Sequence, residues 1–155
     1  MDEKGEIMHR SIIPNVINES DVRGLKRTDT AFTAAKEMRT RNIAALVVTD
    51  EDDKLIGIVT ERDLTRKVIA EGKDPQKITL DLIMTGNPET LTPLDHAGDA
   101  LETMRTHGFR HLPVVDGERI VGMVSIRDLY SAVKVHLEDS IRETEAYVFG
   151  DRYGA

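Results

Sequence analysis

Apolar residues recur along the chain with two patterns of spacing, one typical of amphipathic helices and one typical of buried strands. Thr30 to Arg41 predicts a helix, capped by Asp29 or Thr30, because its small and apolar residues share one face, namely Ala34, Ala35 and Met38. Ala44 to Val48 is a continuous apolar run and predicts a buried strand. Leu55 to Val59 predicts a second strand, joined to the first by a polar hairpin turn.

The same order of elements is predicted again further along the chain. Glu61 to Ala70 predicts the helix that closes the first series, with Gly72 as its stop. In the second series, Gly108 ends the first helix. The predicted helices of that series are His96 to Thr106 and Ile126 to about Glu145, and its predicted strands are Leu112 to Val115 and Ile120 to Val124.

An internal repeat explains this recurrence. Met38-Arg39-Thr40 returns as Met104-Arg105-Thr106 at an offset of 66, and Gly57 to Leu64 matches Gly122 to Leu129 at an offset of 65. The two offsets differ by one residue, and this difference falls in a predicted surface turn, where chain length varies most easily. We predict an α+β fold of two β-α-β-β-α units, each led by a short strand, with domains at 12–72 and 78–141. Two units must pack on each other, because one alone buries too little surface.

Composition narrows the class of protein. The 155 residues are 39% hydrophobic but only 4% aromatic, which predicts an aliphatic core. A net charge of −7 argues against a general nucleic-acid surface. The absence of cysteine excludes disulfides, thiolate metal sites and a cysteine nucleophile. No apolar run approaches the roughly 18–20 residues of a membrane span, and the start lacks a secretory apolar stretch, so we predict a cytoplasmic protein.

A hydroxyl residue followed three positions later by aspartate stands at the same point of both units. Thr60 precedes Asp63, and Ser125 precedes Asp128, each where a strand ends and a helix begins. One interpretation is a capping box worth roughly 1 kcal/mol, although the shorter Asp reaches back less easily than the usual Glu or Gln. The other is a nucleotide cradle, with free N–H groups for phosphate and a carboxylate for two ribose hydroxyls. Both interpretations stay open, because a capping hydroxyl can also touch a ligand.

A cation is needed beside such carboxylates if the ligand carries phosphate. Arg110 and His111, just before Leu112, are the best candidates, and their counterparts in the first unit are Ala44 and Ala45. The alternative is a solvated arginine and a partly buried histidine at a strand edge. We find no phosphate-binding glycine loop, no metal-ligand spacing and no catalytic acid–base pair, and therefore predict no enzymatic activity.

From about Ile12 to Ile141 the chain resembles a tandem pair of cystathionine-beta-synthase (CBS) domains, called a Bateman module. The resemblance implies a stand-alone pair of CBS repeats packed face to face with pseudo-two-fold symmetry. The first unit matches less well, since Ala44 to Val48 stands where the family often has a basic residue and a proline. The segments that carry the resemblance are Asp81-Leu82-Ile83-Met84-Thr85, Thr90-Leu91-Thr92-Pro93, Arg110 to Asp116, and Gly122 to Leu129.

The resemblance implies adenosine compounds (AMP, ADP, ATP, NAD or S-adenosylmethionine) as regulatory ligands, AMP or ATP first, with no required cofactor. It assigns ribose hydroxyls to Asp63 and Asp128, and ribose or phosphate contacts to Thr60 and Ser125. Arg110 and His111 are expected to face phosphate, which favours tighter binding of phosphorylated ligands in the Asp128 cleft. The backbone expected to frame adenine lies around Gly24-Leu25, Ala45-Leu46, Thr90-Leu91 and His111-Leu112.

Three function classes follow for comparison. The leading hypothesis is a nucleotide sensor that forms a disc-like homodimer and acts on a separate, unknown protein. The alternative is a structural or interaction scaffold with one or both clefts vestigial, which Ala44 and Ala45 favour and the two aspartates oppose. An enzyme related to inosine-monophosphate dehydrogenase is rejected, because the chain lacks room for its barrel and has no cysteine. Aromatic residues near the end are expected to pack on the module or across the dimer, namely Tyr147, Phe149 and Tyr153.

Overall fold

The computed structural model describes residues 3–149, with side chains described except at positions 3, 4, 7, 136, 140, 145 and 147–149. The side chains of Tyr147 and Phe149 and all of Tyr153 therefore lie outside the described residues. The helices are α1 (Glu3–Met8), α2 (Ile12–Asn15), α3 (Ala31–Arg41), α4 (Glu61–Asp63), α5 (Ala97–His107) and α6 (Ile126–Phe149). The strands are β1 (Leu25–Lys26), β2 (Ala45–Thr49), β3 (Leu55–Thr60), β4 (Thr85–Gly86), β5 (His111–Asp116) and β6 (Arg119–Ser125).

Two sheets carry the repeat. One sheet has the order β1-β2-β3-β4, with β1 parallel to β2 and the other neighbours antiparallel. The other sheet is the antiparallel pair β5-β6, and a parallel bridge from Leu91 to Val114 takes the place that β1 has in the first repeat. The predicted α+β fold with its β-α-β-β-α order is confirmed.

Helix α3 shows how local sequence sets an element's ends. Thr30 caps it, since the Thr33 N–H donates to Thr30 Oγ1 at 3.2 Å. Asn42 ends it in the left-handed region at φ 53°. Its buried face holds Ala31, Ala34 and Met38. Ala35, which we expected on that face, is exposed, because it lies one position past Ala34 around the helix.

The helix after β3 differs from its counterpart in the second repeat. Beyond α4, residues Leu64–Ile69 form a π-helical segment, in which the Ala70 N–H donates to Thr65 O at 2.9 Å. The predicted regular helix to Ala70 is therefore a short α-helical turn followed by a wider one. In the second repeat, α6 runs without interruption from Ile126–Phe149.

The two halves exchange their leading segments. Leu80 and Ile83 precede the second repeat's strands, yet they are buried in the core of the first repeat. Ile12 is fully buried in the core of the second repeat, and its N–H donates to Asp95 O at 2.8 Å. Strand β4 likewise pairs with β3. The domain bounds 12–72 and 78–141 stay a prediction. In the structure, each half's leading segment packs in the core of the other half.

Candidate functional site

A cleft of about 330 Å³ lies between the two repeats at the ends of β3 and β5. We call it the Asp63 cleft. The first repeat contributes the end of β3 and the first turn of α4, and the second contributes the segment that begins β5 together with the exchanged segment around β4. Its lining residues are Ala44, Ile58, Thr60, Glu61, Arg62, Asp63, Thr85, Pro88, Glu89, His107, Gly108, Phe109, Arg110, His111 and Leu112.

Thr60 and Asp63 form a reciprocal cap at one wall of this cleft. The Asp63 N–H donates to Thr60 Oγ1 at 3.3 Å, and the Thr60 N–H donates to Asp63 Oδ2 at 3.0 Å. The Thr60 hydroxyl donates to the same Oδ2 at 3.2 Å. The other oxygen, Oδ1, lies 3.0 Å from Lys67 Nζ. Asp63 is therefore an ion-paired carboxylate. Lys67 is held in place because its ammonium also donates to Ile83 O at 2.8 Å.

Ser125 and Asp128 repeat the cap with shorter bonds. The Ser125 N–H and hydroxyl donate to Asp128 Oδ2 at 2.7 and 2.9 Å, and the Asp128 N–H donates to Ser125 Oγ at 3.1 Å. The capping interpretation is confirmed in both repeats, since each aspartate reaches back to the backbone N–H of its cap residue. Ala132 stands where the first repeat has Lys67. Among the hydrogen bonds of the described residues, the Asp128 carboxylate accepts through Oδ2 alone.

Arg110 and His111 lie on the Asp63 cleft. Arg110 is exposed, and its carbonyl accepts the Ile126 N–H at 2.8 Å, which fixes its backbone at the start of β5. His111 pairs with Ser125 across the sheet. Arg110 and His111 thus lie on the cleft that Asp63 of the other repeat also lines, and the charge of Asp128 acts on His111 as well. The expectation that phosphorylated ligands bind more tightly at Asp128 stays a prediction.

The protonation of His111 limits what it offers a ligand. Burial lowers the pKa of its imidazole below the ordinary value, against the opposing charges of Asp128 and Glu61. Arg110 lowers that pKa further. At pH 7 His111 is therefore neutral and can donate or accept a hydrogen bond, while Arg110 supplies the positive charge.

The residues expected to frame a base are divided between the core and the surface. Leu112 lines the Asp63 cleft, whereas Ala45 and Leu46 are buried in β2. Gly24 lies in a separate groove at the turn end of the sheets, together with Thr49 and Glu118. Leu25, next to it, pairs with Val48.

Thr90 and Leu91 also lie apart from the Asp63 cleft. Leu91 is buried in the second core, where its N–H donates to Pro113 O at 2.8 Å. Thr90 is exposed. None of Gly24, Leu25, Ala45, Leu46, Thr90, Leu91, Ser125 and Asp128 is among the described residues that line the Asp63 cleft.

Several lining residues were missed by sequence reasoning. Ile58, Pro88 and Phe109 add apolar surface to the cleft, and Thr85 and Glu89 add polar groups. The Thr85–Glu89 segment reaches this wall only through the exchange of leading segments, which no local pattern reveals. The sequence did hold a signal for Glu61, because the repeat aligns this acidic residue with the apolar Ile126 of the second unit.

Two absences hold for the described part of the chain. No group of three or more His, Asp or Glu side chains within it could hold a metal ion. None of the helices among residues 3–149 combines the length and the apolar character needed to cross a bilayer.

The fold and the cleft between repeats define a class of protein, the paired CBS domains. The family model for the CBS domain matches residues 5–70 and 80–135, and the chain belongs to this family. A mitochondrial CBS domain-containing protein of Arabidopsis thaliana, CBSX3, is 36% identical over 126 residues, covering 79% of this chain. The chain spans 61% of that relative's length.

Solved structures agree with this assignment. A putative signal-transduction protein with CBS domains from Burkholderia ambifaria matches with a TM-score of 0.74 and 30% identity, over 80% of this chain and 93% of that one. A CBS domain protein from Pyrobaculum aerophilum, PAE2072, matches with a TM-score of 0.65 and 30% identity, over 70% of this chain and 83% of that one. The latter structure was solved in complex with AMP.

Proposed function

We propose that this protein is a regulatory module that binds an adenine nucleotide, AMP or ATP first, and performs no bond-making chemistry. The observation that carries the proposal is the composition of the Asp63 cleft. A hydroxyl–carboxylate pair from one repeat, a guanidinium from the other and apolar surface line the same cleft. These are the three kinds of group that ribose, phosphate and a purine ring require.

Each part of a nucleotide has a complementary group. The volume of about 330 Å³ lies within the range of small-molecule sites. Phe109 and Pro88 offer apolar surface to a purine. Asp63 Oδ1 accepts from Lys67, and its remaining lone pair can accept a ribose hydroxyl. Arg110 supplies charge for a phosphate. The AMP complex of the Pyrobaculum relative supports this choice of ligand class.

Regulation follows from the cleft's position between repeats. A ligand that touches α4 of the first repeat and Arg110 of the second favours arrangements in which both contacts form together. We propose that this shift is communicated to a separate regulated protein, and that the module acts as a homodimer in the cytoplasm. The Ser125–Asp128 pair is proposed as a second nucleotide position.

Calorimetric titration with AMP, ADP, ATP, NAD and S-adenosylmethionine tests the proposal. We expect Asp63→Ala to weaken nucleotide binding by about 10- to 100-fold, the worth of a hydrogen bond to a charged group. Asp99→Ala is the matched control, because it removes the capping carboxylate of α5, which lies outside this cleft. Equal affinities in wild type and Asp63→Ala, with both proteins folded by circular dichroism, would contradict the site.

The competing function is a scaffold whose clefts are vestigial. Both aspartates already serve as helix caps without any ligand, and Ala44 and Ala45 leave the first repeat without the basic pair of the second. That function predicts no heat of binding and no thermal shift with any of the five compounds at millimolar concentration. A selective thermal shift of the wild type would exclude it.

A further inference from the structure

The Asp63 cleft carries a carboxylate beside its guanidinium. Glu61 and Arg110 are both exposed, and both line the cleft. Both charges act on the imidazole of His111, with opposite sign, so the three groups lie within electrostatic range of one another. The Glu61 N–H donates to Ala44 O at 3.0 Å, which ties its backbone to the start of β2 and leaves its side chain at the cleft.

The charges around this point balance before any ligand arrives. Lys67 already pairs with Asp63. Of the remaining Arg, Lys, Asp and Glu side chains that line the cleft, Glu61 and Glu89 oppose Arg62 and Arg110. One phosphate group can pair with Arg110. Each further phosphate brings negative charge to a cleft whose described lining offers one other arginine, Arg62, against the carboxylates of Glu61 and Glu89.

We infer that Glu61 limits the number of phosphates that the Asp63 cleft accepts, so that it selects adenosine monophosphate over the di- and triphosphate. This inference rests on the proposed function and names the ligand within it. The second repeat has Ile126 at the matching position, so the acid is a feature of the first repeat alone. A purely structural role for Glu61, as a negative charge in the first turn of α4, would affect folding but would not distinguish one nucleotide from another.

The experiment compares dissociation constants for AMP, ADP and ATP in wild type and in Glu61→Gln. Titrations are run at pH 7.5 and fixed ionic strength with EDTA, so that Mg²⁺ does not neutralise the phosphates. Glu71→Gln is the control, because Glu71 is exposed, lies outside the cleft lining, and gives the same change in net charge.

We expect wild type to bind ATP about tenfold more weakly than AMP, and Glu61→Gln to reduce that ratio by about five- to tenfold, chiefly by tightening ATP. Raising the salt concentration should shrink the wild-type ratio. Glu71→Gln should leave it unchanged.

Each failure has its own signature. If none of the three nucleotides binds wild type, the proposed function fails and the inference fails with it. If wild type binds ATP as tightly as AMP, or if Glu61→Gln keeps the wild-type ratio, the nucleotide site stands and the role of Glu61 is overturned.

Discussion

Two aspartates illustrate how one side chain can cap a helix and keep an oxygen for a further contact. Asp63 and Asp128 each use Oδ2 to cap a helix, which leaves Oδ1 for a second partner. In the first repeat that partner is Lys67, whereas Ala132 stands at the matching position of the second repeat. The capping geometry is therefore compatible with the nucleotide contact that we propose for these carboxylates.

His111 makes the free energy of unfolding depend on pH, and the burial of its imidazole sets the direction of that dependence. Because its pKa is lowered in the folded state, the unfolded chain binds more protons between that value and the ordinary one near 6.5. The stability that neutral His111 contributes is complete above about pH 6.5 and is lost as the pH falls through this window. Arg110 acts in the same direction as burial, and Asp128 and Glu61 oppose it.

We therefore expect wild type to lose free energy of unfolding relative to His111→Gln between pH 7.5 and pH 5.5. Urea unfolding at pH 7.5, 6.5 and 5.5 measures the difference. His107→Gln is the control, since it makes the same substitution at an exposed histidine. A wild-type profile parallel to that of His111→Gln over this range would be inconsistent with the lowered pKa.

At the scale of elements, glycine marks where backbones approach closely. A Cβ on Gly24, just before β1, would lie 2.8 Å from both Val47 O and Thr49 Cγ2 of β2. A Cβ on Gly86 of β4 would meet nothing nearer than 4.0 Å. Gly24 thus has a structural reason to be glycine that is independent of any ligand.

We predict that Gly24→Ala lowers the free energy of unfolding by about 1–3 kcal/mol, because a backbone oxygen cannot move aside as a side chain can. Gly86→Ala should change it by less than about 0.5 kcal/mol. Urea denaturation of both variants at pH 7.5 makes the comparison. Equal effects of the two substitutions would show that the approach of Gly24 to β2 is not tight.

Elements with strong local patterns could be predicted from the sequence, and those that depend on distant contacts could not. Helix α3 and strands β2 and β3 lie within a residue or two of their predicted bounds, because periodicity and caps are local properties. The π-helical turn Leu64–Ile69 left no such signal. Of the residues that line the cleft, the repeat pointed to Thr60 and Asp63. The need for a cation beside a phosphate pointed to Arg110 and His111, whereas Pro88 and Glu89 depend on the tertiary path of the chain.

The molecule as a whole is tied together by its exchanged leading segments. Ile12, near the start, completes the core of the second repeat, and Leu80 completes that of the first. Lys54 and Glu118, from the hairpin turns of the two repeats, form an exposed ion pair at 3.2 Å. Since each core draws residues from both halves, neither repeat keeps a complete core without the other, and the chain should unfold as one cooperative unit.

This architecture predicts the effect of a substitution far in sequence from the core it disturbs. Ile12→Ala removes a fully buried side chain and should cost about 2–5 kcal/mol. In a thermal scan we expect one transition, shifted down by roughly 5–15 °C. Ile69→Ala is the control, because Ile69 is 73% exposed and the same change there should barely move the midpoint. Two resolved transitions, with only the one belonging to the second repeat shifted, would mean that the halves unfold independently despite the exchange.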